Sequence, residues 1–262
     1  MANINFFKYQ GTGNDFVMID GMKDAVDVNS LNVPALCDRK FGIGADGVIV
    51  LHPLDDFDFN MVYFNSDGTQ SFCGNGSRCA VQFAHDQGHI QTNASFLSTD
   101  GYHKAEILPD GRIKLEMHDV EYIVFNKDHY VINTGSPHYL QFSDVINLKS
   151  IVAEAQTIRY NAGYKTDGIN VNFLELGKLQ NQLRLRTYER GVEDETLSCG
   201  TGVTAAALAY AHHQNLADGN HEILVEAVGG QLSVEFELEG GRYSNIHLIG
   251  SAKRVFEGRW SI

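Results

Sequence analysis

The sequence has 262 residues, of which 43% are hydrophobic and 20% charged, a composition typical of a globular protein with room for one large domain or two lobes. Its formal net charge of −13 argues against a broad basic face for nucleic acid. No stretch approaches ~18 consecutive apolar residues, so no membrane-spanning helix is expected, and the N-terminus lacks the pattern of a signal peptide. We therefore expect a cytoplasmic protein whose four cysteines are thiols rather than a disulfide scaffold.

Short β-strands are predicted along most of the chain, because runs rich in β-branched and aromatic residues recur between Gly, Asp and Asn. The clearest predicted strands are 16–19, 47–51, 60–64, 168–173, 183–188 and 232–236. Four helices are predicted at 33–41, 74–87, 148–160 and 200–215. Pro34 suits a first helical turn and Gly88 a C-terminal cap. The fourth helix is small and apolar nearly all round, which predicts burial on most sides.

Four sequence landmarks occur twice in the same order, which indicates an internal repeat. In the first half they lie at 11–17, 45–48, 62–68 and 73–76, and in the second at 133–139, 166–169, 186–191 and 199–202. Such a repeat predicts two lobes of one fold, and related lobes commonly pack about a pseudo-twofold axis. A cleft on that axis would receive Cys73 from one lobe and Cys199 from the other.

Each of these cysteines precedes a Gly-x-Gly helix start. A helix N-terminus offers unpaired N–H groups and a partial positive charge, which can lower the pKa of a thiol and bind an anion such as a carboxylate. With one α-carboxylate between both helix starts, one thiolate could remove the α-proton while the opposite thiol protonates the other face. The pattern therefore predicts inversion at carbon by a cysteine pair.

Other interpretations of these residues stay open. Both cysteines could be buried apolar residues, which is the common state of a thiol, or could form a disulfide. We interpret Cys37 and Cys79 as core residues. Metal binding is poorly supported, because no Cys-x-x-Cys or His-Glu-x-x-His pattern is present. The glycine-rich segment 42–47 does not open a helix, so a nucleotide site is not expected there.

With these residues in hand, the sequence closely resembles the diaminopimelate epimerase family over nearly its whole length. The resemblance rests on the motifs at 11–17, 42–47, 64–68, 73–79, 188–191 and 198–202. It implies an α+β fold of two pseudo-symmetric lobes, each a curved mixed sheet around a central helix. We expect one lobe at 1–118 plus 251–262 and the other at 119–250, with the last strand, 253–260, returning to the first lobe.

The family interconverts LL- and meso-diaminopimelate without metal or pyridoxal phosphate, for lysine and cell-wall synthesis, and homodimers are its habit. By resemblance, Cys73 and Cys199 are catalytic, and His138 and Glu189 tune their protonation. Glu189 also acts with Arg190 to grip the distal amino and carboxylate groups of the substrate, since Arg offers a bidentate fork. The remaining residues expected to bind substrate are Asn14, Asn65, Gly74, Asn75, Asn170, Gly200 and Thr201.

Two positions depart from the family pattern. Ser136 stands where the family often has Asn, and its shorter side chain leaves a direct contact with substrate open. Gly47 stands where some members present an amide side chain, so a contact there has to come from the backbone.

Three other functions are open to a sequence of this kind. A proline or hydroxyproline racemase would share the cysteine pair, but it would not need the Glu189–Arg190 clamp. A phenazine-synthesis isomerase would lack the cysteines. A ligand-binding pair of lobes would use the cysteines only as core.

Overall fold

The structure is a computed structural model that describes residues 3–24, 26–148 and 150–261. It consists of two compact units. One unit is formed by the described residues up to Leu115 together with those from Gly250 on, and the other by Glu116–Ile249. The predicted lobe limits include positions 1, 2, 25, 149 and 262, and the predicted helix at 148–160 includes 149; these positions lie outside the described residues. No helix in the described part of the chain is long and apolar enough to cross a bilayer.

Strands dominate both units. In chain order they are β1 (Asn3–Gly11), β2 (Asn14–Asp20), β3 (Gly47–His52), β4 (Phe59–Asn65), β5 (Asn93–Ser98), β6 (Gly101–Ile107), β7 (Ile113–Glu116), β8 (Val124–Asn126), β9 (His129–Asn133), β10 (Pro137–Phe142), β11 (Asn170–Leu176), β12 (Gln182–Glu189), β13 (Asp194–Thr196), β14 (Gly219–Ala227), β15 (Gly230–Glu239), β16 (Arg242–Gly250) and β17 (Lys253–Ser261). The α-helices are α1 (Val33–Cys37), α2 (Gly74–Asp86), α3 (Ile151–Arg159) and α4 (Gly200–His213).

The same order of strand pairing occurs in each unit. In the first unit β1–β2 is antiparallel, β2–β3 parallel, β3–β4 antiparallel, β4–β5 parallel, and β5–β6–β7 antiparallel. In the second unit β9–β10, β10–β11, β11–β12, β12–β14 and β14–β15–β16 repeat these directions in turn. The outer strand β17 pairs with β1 and β8 pairs with β9, both antiparallel. The predicted mixed sheets are thereby confirmed, the two units share one order of strand directions, and the last strand pairs with the first.

A central helix is buried in each unit. Helix α4 is buried at every position from Gly200 to Ala211, and α2 is buried from Gly74 to Val81 and again at Phe83 and Ala84. Cys79 is fully buried in α2 and Cys37 is 5% exposed at the end of α1, so both belong to the core, as predicted. Small residues let strands approach α4 on most sides, and this is why its sequence has no polar face.

All four α-helices end earlier than predicted, and α4 ends at His213 rather than 215. Helix α1 ends at Cys37 rather than 41, because Asp38 is extended and its carboxylate accepts the N–H groups of Lys40 and Phe41, both at 2.7 Å. Helix α3 begins at Ile151 after Ser150. Helix α2 ends at Asp86, and Gly88 follows with φ of 80°, the left-handed conformation expected of a glycine cap.

Candidate active site

Cys73 and Cys199 occupy equivalent places, each as the extended residue that caps the N-terminus of a central helix. The first helical hydrogen bonds run from Ser77 N–H to the Cys73 carbonyl and from Val203 N–H to the Cys199 carbonyl, both at 2.8 Å. Helix geometry therefore leaves the N–H groups just after each cysteine without an intrahelical acceptor. These groups belong to Gly74, Asn75, Gly200 and Thr201.

The second glycine of each Cys-Gly-x-Gly motif is required by close packing. A Cβ on Gly76 would lie 3.0 Å from Ile49 Cδ1. A Cβ on Gly202 would lie 2.9 Å from Asn172 Oδ1 and 3.3 Å from His138 Cε1. Both contacts are tighter than normal, so these glycines seat each helix start directly on its sheet.

Asn14 is the polar side chain next to Cys73. Cys73 Sγ lies 3.6 Å from Asn14 Oδ1 and accepts the backbone N–H of Gly76 at 3.3 Å. Asn75 Nδ2 donates to the same Asn14 oxygen at 3.4 Å. Since an amide oxygen only accepts, the contact between Cys73 and Asn14 is one in which the thiol donates.

An ionic cluster holds Asn14 in this orientation. Asn14 Nδ2 donates to Asp46 Oδ2 at 2.6 Å, and Arg39 Nη2 donates to both Asp46 and Asp15 at 2.7 Å. Lys8 Nζ lies 2.7 Å from Asp15 Oδ2. Burial of Asp15 raises its pKa, but the hydrogen bonds from Arg39 and Lys8 outweigh burial and hold the pKa at about 2. The landmark segments 11–17 and 45–48 are therefore hydrogen-bonded to each other beside Cys73.

Arg78, which sequence reasoning did not single out, is fully buried in the second turn of α2. Its Nη2 donates to Thr12 Oγ1 at 3.0 Å and to Asn75 Oδ1 at 2.8 Å, and its Nη1 donates to the Gly74 carbonyl at 3.3 Å. Burial lowers the pKa of Arg78 to about 10, which leaves it charged at neutral pH. The sequence gives no signal for this burial, because it depends on a contact with Thr12 from a distant part of the chain.

Asn65 is held within its own turn at the end of β4. Its Nδ2 donates to Thr69 Oγ1 at 3.0 Å, and its Oδ1 accepts from Tyr63 Oη at 3.0 Å. The amide therefore has a fixed orientation, and its expected contact with substrate stays a prediction.

Cys199 contacts a hydroxyl group where Cys73 contacts an amide. The Sγ atom of Cys199, which is 8% exposed, lies 3.4 Å from Thr201 Oγ1. Thr201 Oγ1 in turn lies 2.9 Å from His138 Nε2. Thr134 Oγ1 donates to the Thr201 carbonyl at 2.8 Å and ties the β9–β10 turn to the helix start. His138, Thr201 and Cys199 are thus brought together, and the expected tuning of the thiol by His138 stays a prediction.

His138 is fully buried on β10, and burial, followed by the positive charge of Arg190, lowers its pKa to about 3. It is therefore neutral at physiological pH. Its Nδ1 lies 3.1 Å from Nδ2 of Asn172, a buried residue that sequence reasoning missed. Asn172 lies two residues after Asn170 on β11, and this spacing places both side chains on one face of the strand.

Asn170, Arg190 and Glu189 lie at neighbouring strand ends of the second unit. Asn170 Oδ1 accepts the backbone N–H of Arg190 at 2.8 Å, and Arg190 Nη1 donates to the Asp167 carbonyl at 2.8 Å. Glu189 Oε2 accepts from Thr196 Oγ1 at 3.0 Å. These contacts fix the orientation of the Arg190 guanidinium and of the Glu189 carboxylate, and their expected contact with substrate stays a prediction.

The two departures from the family pattern have local explanations. Ser136 Oγ accepts from Asn170 Nδ2 at 2.9 Å, so the hydroxyl is engaged with a residue of the candidate site. A Cβ on Gly47 would lie 2.5 Å from both the Phe64 carbonyl oxygen and Tyr63 Cε2. The ring of Tyr63 therefore fills the space that a side chain at position 47 would enter.

Solved structures share this fold over the whole chain. A phenazine biosynthesis protein of the PhzF family from Bacillus anthracis matches with a TM-score of 0.78 and 15% identity, covering 100% of both chains. A hydroxyproline epimerase from Agrobacterium vitis with bound trans-4-hydroxy-L-proline matches with a TM-score of 0.73 and 16% identity, over 99% of this chain and 91% of that one. The fold is thus that of the class of proteins to which this PhzF family protein and this hydroxyproline epimerase belong.

Sequence comparison narrows this class. A model of the diaminopimelate epimerase family matches residues 6–123 and 130–255. The diaminopimelate epimerase of Flavobacterium psychrophilum is 44% identical over 256 residues, covering 97% of this chain and 99% of that protein. That of Chlorobaculum tepidum is 36% identical, over 95% and 98%. The chain belongs to the diaminopimelate epimerase family, a family of racemase and epimerase enzymes.

Proposed function

We propose that this protein interconverts LL- and meso-2,6-diaminopimelate, a step in the synthesis of lysine and of peptidoglycan precursors, with Cys73 and Cys199 as the acid and base. The observation that carries the proposal is the equivalent placement of both thiols, each capping the buried central helix of one unit. Family membership and the named relatives support the substrate.

The reaction follows from elementary chemistry at the α-carbon. A thiolate takes the α-proton, so the C–H bond breaks and an S–H bond forms. The thiol of the other cysteine delivers its proton to the opposite face and becomes a thiolate. The carbon is inverted, and the two cysteines exchange protonation states. No electron transfer and no cofactor enters this balance.

The helix starts supply the groups that make the carbanion accessible. The proposal requires the substrate α-carboxylate to accept N–H groups from both, namely those of Gly74, Asn75, Gly200 and Thr201. Negative charge moves onto this carboxylate as the proton leaves, and N–H groups at a helix N-terminus stabilise such charge without reorganisation.

The other end of the substrate selects diaminopimelate over simpler amino acids. In the proposal Arg190 binds the distal carboxylate, and Glu189 accepts from the distal ammonium and also assists His138 in tuning the thiols. Asn14, Asn65 and Asn170 would line the pocket as amides already oriented by their own contacts. Proline has no second charged end, so this clamp favours diaminopimelate over proline.

Purified protein given each substrate separately tests the assignment. LL-diaminopimelate should be converted to the meso form, measured by chiral chromatography, while L-proline and trans-4-hydroxy-L-proline should remain unchanged. Turnover of a proline substrate alone would show that the racemase alternative is correct. Dialysis against EDTA, with no pyridoxal phosphate added, should leave the rate unchanged.

Thiol labelling separates the enzyme from a simple binding protein. Substoichiometric iodoacetamide should label Cys73 or Cys199, while Cys37 and Cys79 stay unlabelled because burial raises the pKa of both thiols. Diaminopimelate should protect the labelled thiol. Labelling that is unaffected by substrate would place the cysteines outside the binding site.

We also propose that the protein acts in the cytoplasm as a homodimer. A reducing compartment suits catalytic thiols. Strand β17 supports dimer formation, because Val255 and Phe256 are 58% and 46% exposed along it. Light scattering on the purified protein should give twice the monomer mass, and Val255→Lys should shift it to the monomer.

A further inference from the structure

We propose that Asn172 is a positioning residue that, through His138, turns the hydroxyl of Thr201 into a hydrogen-bond donor to Cys199. It thereby lowers the pKa of one thiol of the pair and not of the other. The catalytic importance of this relay rests on the proposed function. The contacts that form the relay all lie within the second unit.

The first step is the orientation of the Asn172 amide. Asn172 is fully buried, and its Nδ2 donates to the Tyr139 carbonyl at 3.0 Å. Its Oδ1 accepts from Thr187 Oγ1 at 2.9 Å. Because a backbone carbonyl can only accept, the NH₂ group has to face Tyr139. Its second hydrogen has two acceptors within reach, His138 Nδ1 at 3.1 Å and the Asn170 carbonyl at 3.5 Å, and we assign it to the shorter contact with His138.

The second step is the tautomer of His138. A neutral imidazole carries one proton, and the nitrogen that accepts a hydrogen bond is the one without it. Since Nδ1 accepts from Asn172, the proton lies on Nε2 and is donated to Thr201 Oγ1 at 2.9 Å. The low pKa of His138, which burial causes, keeps this ring in a single neutral form at physiological pH.

The third step is the direction of the Thr201 hydroxyl. Among the described residues, the contacts of Thr201 Oγ1 are His138 Nε2 and Cys199 Sγ, the latter at 3.4 Å. The histidine already donates to this oxygen, so Cys199 Sγ is the acceptor left for the hydroxyl proton. A buried hydroxyl without an acceptor would be costly. A donor to sulfur stabilises the thiolate over the thiol.

The first unit has no such chain at the equivalent positions. Phe16 pairs with Gly47 across β2–β3 as His138 pairs with Asn170 across β10–β11. Two residues further along the second strand of each pair stand Ile49 and Asn172. Phe16 and Ile49 are apolar and fully buried, so these two positions of the first unit hold neither an imidazole nor an amide.

Other charged groups act on the two thiols in ways that do not depend on Asn172. In the second unit Glu189 ends β12, and Arg190, which follows it, acts electrostatically on His138. Near Cys73 the buried Arg78 interacts with the thiol electrostatically, and Asp46, Asp15 and Arg39 act through Asn14. Substitution at Asn172 or Thr201 leaves all of these in place, so a change confined to Cys199 reports on the relay.

The tautomer is tested directly by ¹⁵N NMR of histidine side chains at pH 7. In the wild-type protein the His138 ring should show protonated Nε2 and unprotonated Nδ1. In Asn172→Asp a carboxylate replaces the NH₂ group, and the proton should move to Nδ1. A wild-type ring protonated on Nδ1 would overturn the proposal.

The consequence is tested by the pH midpoint of alkylation of each thiol, resolved by mass spectrometry of the labelled peptides. The midpoint reports thiolate formation independently of how exposed each sulfur is. Thr201→Val, which adds no charge, should raise the Cys199 midpoint by about one pH unit, since a hydrogen bond to a charged group contributes ~1.5 kcal/mol or more. Asn172→Asp should raise it too, with an added contribution from its own negative charge. Thr201→Ser keeps the hydroxyl and should keep the wild-type midpoint.

Cys73 is the internal control in the same molecules, and its midpoint should not move. An unchanged Cys199 midpoint in Thr201→Val, or equal shifts of both thiols, would contradict the relay. If Asn172→Asp fails to fold, the alkylation midpoints of Thr201→Val and Thr201→Ser test the relay without it. Neither the NMR experiment nor the alkylation experiment uses diaminopimelate. A negative result for the relay is therefore distinguishable from a wild-type protein that does not epimerise that substrate.

Discussion

Gly168 lies directly against the side chain of Arg190: a Cβ on Gly168 would be 2.4 Å from Arg190 Cδ. Gly168 also has φ of 75°, a conformation that costs other residues roughly 1 kcal/mol or more. The glycine of the Asp167-Gly168 landmark thus gives the arginine its place, while the Asp167 carbonyl accepts from Arg190 Nη1 at 2.8 Å. The Asp167-Gly168 landmark of the repeat therefore positions the guanidinium of Arg190, which is expected to bind substrate.

Gly168→Ala should therefore raise KM for diaminopimelate about tenfold or more, because a displacement of the guanidinium weakens a charge-assisted contact of ~1.5 kcal/mol or more. Steady-state kinetics measures this change, and kcat should fall less than KM rises. Gly163→Ala is the matched control in the same loop, since a Cβ there meets only Asn161 Oδ1, at 3.3 Å. Equal effects of both variants would remove the link between Gly168 and Arg190.

Arg190→Ala should have a larger effect in the same direction, with KM raised about a hundredfold, since it removes the bidentate partner of the distal carboxylate. Arg186→Ala, four residues earlier on β12, is the control. Arg186 lies 2.6 Å from Glu195 in an ion pair, so its loss should lower the melting temperature and leave KM unchanged. A wild-type KM for Arg190→Ala would disprove the distal clamp.

Asp15→Asn should destabilise the protein at neutral pH and not in strong acid. The pKa of Asp15 is held at about 2, below its ordinary value of 3.8. A carboxyl with a depressed pKa stabilises the fold above its unfolded pKa, and that contribution is lost as pH falls from about 4 to about 2. Urea unfolding at pH 7 should show a difference of at most ~2 kcal/mol that shrinks below pH 4. A difference independent of pH would point to packing instead.

His138→Phe, which copies Phe16 of the first unit, should alter the acid sensitivity of the fold. A buried histidine with a pKa of about 3 stays neutral while the unfolded chain gains a proton below pH 6.5. Stability is therefore lost as pH falls from about 6.5 towards 3, by ~2 kcal/mol between pH 7 and 5. Urea unfolding at both pH values should show a smaller loss in the variant. An equal loss in both proteins would mean that His138 is protonated readily in the fold.

Much of this architecture was predictable because it depends on local rules. The repeat, the two glycine-rich helix starts and the apolar α4 are visible as patterns in the chain. Cys73 and Cys199 follow from these patterns, since a residue before a Gly-x-Gly helix start has to be an N-cap. Helix α1 was predicted too long because the termination depends on one side chain, Asp38, bonding to N–H groups that follow it.

Residues of the site that depend on contacts across strands were not predictable in the same way. Asn172 acts on His138 through a pairing of β10 with β11, and nothing within either strand marks the contact. Arg78 reads as an ordinary helical arginine until its burial against Thr12 is known. The engagement of Asn65 with Thr69 likewise emerges only from the turn that joins them.

The most direct test of the central claim is the fate of solvent deuterium when LL-diaminopimelate is epimerised in heavy water and sampled at early times. With two cysteines acting as acid and base, the meso product should carry one deuterium at the inverted carbon while the remaining LL substrate carries none. Cys73→Ala and Cys199→Ala, both folded, should each form no product. A product that retains the original proton, or deuterium that enters the LL substrate as fast as product forms, would contradict the two-cysteine mechanism.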